Sequence, residues 1–267
     1  MGHLWTTPTG GISADYLLEV KKGNVPGSSI VNKFGHNDSA GTSFEPVSIG
    51  GIYLTPQASG ATTLRIKSGG NANDTAAGSG AREIMLVGLD ENFVEQTETI
   101  ATAGASASSA TTVTFTRLYR VFVSAAGSYA SASAGSHNAD IVIENGSGGT
   151  DWATISATDF PRAQSQIGVY SVQAAMTAYV LGFTVQVESN KPVDIIFFGR
   201  GGINETAAPY SAMRMLFQAN GLEDSLTFNS QAAFGPVPAY YDLGFMAKVA
   251  TGTGKVTVDF EMLVVDD

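Results

Sequence analysis

The segment Gly252-Thr-Gly-Lys255 is the part of this chain most like a phosphate-binding loop. Such a loop holds phosphates on backbone N–H groups and needs Gly-x-x-x-x-Gly-Lys-Ser/Thr between a strand and a helix. Here Val249 stands at the first glycine position, Val256 follows the lysine, and strand-like sequence lies on both sides. A hairpin turn is therefore expected. Gly78-Ser-Gly80 is a loop before a strand. His3, His36 and His137 each fall in an expected loop or arm, and none has a second ligand at metal-binding spacing. Asn71-Ala-Asn-Asp74 and Asp90-Glu-Asn92 gather oxygens, but neither completes a calcium loop with its distant Glu. Turn chemistry explains both. Glycoside hydrolysis needs two carboxylates facing across a groove. Glu95, Glu98, Asp140, Glu144, Glu188 and Asp194 are available, all of a kind common on strand edges. There is no Gly-x-Ser-x-Gly elbow, and Cys 0 removes thiolate nucleophiles, thiolate metal sites and disulfides. The expectation is a non-enzyme with no catalytic residue, no cofactor and no metal.

Strands are the elements that must position these residues. Val256, Val258, Phe260, Met262 and Val264 alternate with Thr257, Asp259 and Glu261, the period of a half-buried antiparallel strand. Further strands are expected at 51–55, 62–67, 82–90, 94–100, 113–123, 140–144 and 152–156, with a hairpin at Asp90–Phe93. After a change near Phe160-Pro161-Arg162, more follow at 169–173, 179–188, 193–200, 214–218, 226–229 and 243–249. The runs 101–110 and 124–138 are Ala/Ser/Gly-rich loops. This spacing predicts an all-β chain of two antiparallel β-sandwich or jelly-roll-like domains, 44–165 and 166–267, behind an extended N-terminal arm, 1–43. A lead-in of that length suits an arm lying on a neighbouring subunit, with Trp5, Ile12, Tyr16, Leu17 and Leu18 buried there. An arm wrapped on its own domain fits equally. Phe197, Phe198, Phe217, Phe228, Phe234, Phe245 and Phe260 read as core. Tyr240 and Tyr241, beside Pro236 and Pro238, belong to that core or form a sugar-binding or subunit-docking surface.

Bulk properties exclude whole classes. With 14 Lys+Arg against 24 Asp+Glu, the net charge is −10, the wrong sign for binding nucleic acid or anionic membranes. No apolar run approaches the roughly 18 to 20 residues of a membrane span. The N-terminus lacks the basic and apolar regions of a signal peptide. Gly 31 with 14% charged residues describes small residues and tight turns, suited to strand packing and flat subunit contacts.

Several ordered fragments also point to a family. Val31-Asn-Lys-Phe-Gly35 precedes Gly50-Gly-Ile-Tyr53, and Asn73–Arg82 precedes Val87-Gly-Leu-Asp-Glu-Asn92. Arg117-Leu-Tyr-Arg-Val121, Tyr179-Val-Leu-Gly-Phe183, Pro236-Val-Pro238 and Val258–Asp266 follow. Together they resemble a family of virion structural proteins of tailed bacteriophages, marine ones especially, over most of the chain from Val31. The resemblance implies a particle component located in the virion and made in the host cytoplasm. A capsid decoration or head-surface protein is the expected role, self-associated as a homotrimer and partnered by the major capsid protein or other virion proteins. A tail, neck or fibre-base component touching a host-surface glycan is the alternative. A polysaccharide-degrading enzyme would need a carboxylate pair in a cleft.

Overall fold

The structure, a computed structural model, describes residues 5–6, 12–13, 15–128, 135–158, 162–188 and 190–267. Strands β1 (Trp5–Thr6) and β2 (Ile12–Ser13) pair with each other. Helix α1 (Tyr16–Lys21) is started by Asp15, whose carboxylate accepts from the Leu18 N–H at 3.0 Å. Next come β3 (Ser28–Ala40), β4 (Glu45–Pro46), β5 (Leu64–Ile66), β6 (Ala81–Leu89) and β7 (Glu95–Ala101). They are followed by β8 (Arg117–Ala126), β9 (Ile141–Asn145), β10 (Asp151–Ile155), β11 (Val169–Val172) and β12 (Met176–Val187). Last are β13 (Val193–Arg200), β14 (Arg214–Leu222), β15 (Ser225–Val237), β16 (Tyr241–Val249) and β17 (Gly254–Asp266).

Beyond the β1–β2 pair, the strands form four antiparallel sheets. Their orders are β11-β16-β13-β14 with β4 on β16, β15-β12-β17-β3, β7-β6-β8, and β10-β9-β5. The four sheets are the blades of a four-bladed β-propeller, which corrects the expectation of two β-sandwich or jelly-roll-like domains. The reason is physical. A period of two says that one face of a strand is buried, and says nothing about which sheet it joins or how sheets stack.

Two cores hold the blades together. In the first, Phe183 and Phe260 of the four-stranded sheet meet Phe197 and Phe245 of the five-stranded sheet, with ring centroids 4.8 Å apart for Phe197–Phe245. This core also draws in Leu89, Phe93 and Tyr119 from the first half of the chain. The second joins Ile84, Leu86 and Val121 to Leu64, Ile143, Trp152 and Ile155, together with Ile167, Ile196 and Phe198. Strand β13 therefore buries both faces, Ile195 and Phe197 in one core and Ile196 and Phe198 in the other. That explains its unbroken apolar run.

Of the two placements expected for the N-terminal segment, its described part takes the one on its own chain, as helix and strand rather than as an extended lead-in. Within 15–43, α1 is followed by β3, which pairs antiparallel with β17 from Val31↔Met262 through Gly35↔Val258 and beyond. The segment wraps on its own chain. Gly35 allows this closeness: a Cβ there would lie 2.4 Å from the Gly168 Cα. Residues 51–55 are not a strand, and a short 3-10 turn occupies Ile49–Gly51. The Gly252 turn, with φ of +68°, links β16 to β17 in different sheets, so it is not a hairpin.

Candidate interaction surface

Strands β14 and β15 each end a sheet, and the two are joined directly through Glu223 and Asp224. Both sheets therefore stop on one flank. Phe183 shows how the core reaches it: its ring stacks on Phe228 of β15 at 5.0 Å and meets Phe217 of β14 at 5.5 Å. From there the apolar surface continues outward. Tyr210, Met213, Met215, Phe228 and Phe234 are exposed, Met215 at 60%. An open cavity of about 310 Å³ lies between Leu216, Phe234, Pro236, Pro238 and Tyr241. Arg214, Glu223 and Asp224 are the only charged residues between Ala207 and Tyr240. On a chain of net charge −10, this flank is depleted of charge. Sheet-ending strands carry unpaired backbone groups, and proteins ordinarily guard them with charge.

Of the residues expected from sequence, Tyr241 lines this cavity beside Pro236 and Pro238. Tyr240 and Tyr241 are half-buried against the first core. Tyr240, at φ +60°, meets Phe93 edge-on at 5.6 Å, and its N–H donates to the Val172 carbonyl at 3.0 Å. Tyr241 packs where a Cβ on Gly199 would touch its ring at 2.5 Å. They brace the flank from behind. Tyr16 pairs its hydroxyl with Ser28 Oγ at 3.3 Å, while Leu17 and Leu18 remain exposed on α1. The side chains of Trp5 and Ile12 lie outside the described residues, as does the centre of the 124–138 loop. The missed residues are Tyr210, Met213 and Met215, while Phe228 and Phe234, expected in the core, are 38% and 40% exposed. Their signal was the near absence of charge along two strands, which periodicity does not register.

The carboxylates considered for catalysis each hold a piece of the fold. Glu144 pairs with Arg65 at 2.8 Å, and Asp194 pairs with Lys248 at 3.4 Å. Glu98 accepts from the Val113 N–H at 2.8 Å, and Asp140 from the Ala157 N–H at 2.6 Å. Glu188 accepts from the Lys255 N–H at 3.3 Å, and Glu95 from Gln173 Nε2 at 3.2 Å. Asp74 takes the Ala81, Asn138 and Ala139 N–H groups, and Asp90 takes those of Asn92 and Val94. These are turn and loop anchors. His36 shares a hydrogen bond with Thr257 at 2.8 Å and His137 one with Ser136 at 2.9 Å. Burial holds the His137 imidazole below its ordinary pKa. Among the described residues no three His, Asp or Glu side chains converge as a metal site.

Comparison with known proteins adds little. No protein family and no curated protein matches the chain. Among solved structures, that of the infectious bursal disease virus Gx strain aligns over 90% of this chain and 77% of its own, at 9% identity and a TM-score of 0.21. The infectious bursal disease virus VP2 subviral particle aligns over the same shares at 10% identity and a TM-score of 0.20. Similarity this low carries no argument about fold or role. The resemblance to tailed-bacteriophage virion proteins is corrected: no protein family matches the chain.

Proposed function

We propose that this chain is a non-enzymatic structural protein of a virus particle, and that the β14–β15 flank is where one copy meets the next. The observation that carries the reading is the apolar, charge-poor surface spread over two sheet-ending strands of an acidic chain. A second copy is the favoured occupant. Two chains of net charge −10 repel one another everywhere except across a surface that lacks charge. The flank offers two different edges, so β14 of one copy set on β15 of the next makes a head-to-tail contact, the kind that forms a ring when the rotation between copies closes. We expect three copies in that ring. A peripheral component touching a host surface is favoured over a cement across a shell. The segment meant for stapling neighbours is used within this chain, where residues 28–40 form a strand of its own sheet.

Sedimentation of the pure protein tests the contact. The intact chain should form a trimer, and Met213→Lys with Met215→Lys, at side chains 49% and 60% exposed, should give a folded monomer. A monomeric intact chain rules out the flank as a self-contact, and a dimer rules out the head-to-tail arrangement. Quantitative mass spectrometry of particles carrying the chain separates a peripheral component, present in a few copies, from a shell cement present in hundreds.

A further inference from the structure

Away from that flank, Lys33 lies on the inward face of β3, where the four-stranded sheet meets β8. It is 8% exposed. Its ammonium donates to the Tyr119 carbonyl at 2.9 Å and sits 5.7 Å from the centre of the Tyr119 ring. That bond uses one of three ammonium hydrogens. Beside it opens a cavity of about 310 Å³ lined by Asn32, Lys33, Phe34, Tyr119, Arg120, Gln164, Ser165 and Ile167. Two cations and no acid line it, on a chain with ten more acidic than basic residues. Arg120 is held in place: its Nη2 donates to Gln164 Oε1 at 2.9 Å, and its guanidinium lies 4.9 Å from the Phe122 ring centre. Ser165 Oγ accepts the Val121 N–H at 2.9 Å, so its own hydroxyl hydrogen still points elsewhere. Phe34, 39% exposed, forms an aromatic wall.

We propose that this cavity binds one carboxylated sugar ring, with its carboxylate between Lys33 Nζ and the Arg120 guanidinium and its apolar face on Phe34. The hydroxyls of such a ring would meet Gln164, Ser165 and Asn32. Each part of the cavity selects one part of that ligand. A planar guanidinium fork recognises a carboxylate in two-point fashion. An exposed aromatic face takes the C–H face of a pyranose, and three neutral polar side chains suit hydroxyls. The volume is at the low end of small-molecule pockets, roughly 300–1,000 Å³, and fits a single ring.

Proton linkage sharpens the inference. Burial chiefly, with repulsion from Arg120 added and Glu95 opposing, lowers the Lys33 pKa to about 7. The groups facing its ammonium are Arg120 beside it, Tyr119 beneath it, and Glu95 and Tyr170 in the adjoining cavity of about 300 Å³. A bound carboxylate offsets burial and repulsion together, so binding takes up a proton and weakens as pH rises above about 7.

Calorimetric titration of the full chain with glucuronate and galacturonate tests this, against glucose and inorganic phosphate, at pH 6 and pH 8. Saturable uronate binding at pH 6 is expected, weaker at pH 8, with glucose about tenfold weaker or more, the loss for one charge-assisted contact. Lys33→Met should abolish the pH dependence and most of the affinity. Arg120→Gln, at an exposed position, should lose most of the affinity while keeping the pH dependence, and tests the site should Lys33→Met fail to fold. A galacturonate trimer that binds as well as the monomer points to a polymer-borne ligand, and monomer binding alone to a free sugar acid; both support the site. No uronate binding at pH 6, phosphate binding as tightly as uronate, or variants that bind like the intact chain would overturn it.

Discussion

Arg117 and Asp242 are buried together, their side chains 0% and 1% exposed, with Arg117 Nη2 2.8 Å from Asp242 Oδ2 and Nε donating to Oδ1 at 2.9 Å. Burial opposes the guanidinium charge, but the attraction and hydrogen bonds of Asp242 outweigh it and hold the Arg117 pKa above its ordinary value. Ser171 donates to the same carboxylate, and Tyr53 shares a hydrogen bond with Ser171 at 2.9 Å. The cluster thereby ties β8 to β11 and β16. Asp242→Ala should cost about 3–5 kcal/mol in urea denaturation, because it leaves a buried cation without its partner. Arg117→Met with Asp242→Leu should cost less than Asp242→Ala alone; a larger loss would mean that the pair itself stabilises the fold. Lys33 behaves oppositely. Its folded pKa of about 7 lies below its unfolded value, so between pH 7 and about 10 the unfolded chain holds more protons. Stability should therefore rise with pH across that window, and the rise should vanish in Lys33→Met. Above about pH 10 the trend reverses. Burial raises the pKa values of Tyr53, Tyr119 and Tyr170, the last to about 12, and the unfolded chain ionises first. Thermal midpoints from pH 6 to 11 check both signs.

Strand β3 carries the largest difference between expectation and structure. Its sequence, Ser-Ser-Ile-Val-Asn-Lys-Phe-Gly-His-Asn-Asp-Ser-Ala, shows no apolar alternation, because it ends its sheet and its buried residues are Lys33, Gly35 and Asn37 with Ala40. Its partner β17 is more than 200 residues away in sequence. Local pattern cannot report such a pairing. A chain beginning at Gly41 should lose cooperative unfolding and near-ultraviolet circular dichroism, since β17 would keep β12 but lose its other neighbour. A cooperative, native-like truncated chain would mean that β3 is dispensable. Gly35→Ala is a finer probe. Its Cβ would meet Gly168 and the Val47 carbonyl at 2.4 and 2.5 Å, backbone atoms that cannot turn aside. Overpacking of this kind costs about 1–3 kcal/mol or more.

At the scale of the whole molecule, charge and assembly oppose each other. With net charge −10, copies repel at long range, and salt shortens that range to about 8 Å at roughly 0.15 M. Ring formation through the β14–β15 flank should therefore strengthen from low to physiological salt, as measured by sedimentation equilibrium. Assembly that weakens with added salt would point instead to a contact made by ion pairs.

The sequence by itself determined that the chain is all-β and where most strands lie. Val256, Val258, Phe260, Met262 and Val264 are buried, and the Asp90–Phe93 turn joins β6 to β7. These features are local, set by side-chain period and turn chemistry within a few residues. Only the tertiary structure decided how four sheets share two cores, that 28–40 is a strand, and that Tyr240 and Tyr241 brace a surface formed by Tyr210, Met215, Phe228 and Phe234. It alone placed Lys33 beside Arg120, since β3 and β8 meet through packing between sheets. Which cations meet across a cleft depends on packing between elements distant in sequence, and period and composition carry no record of it.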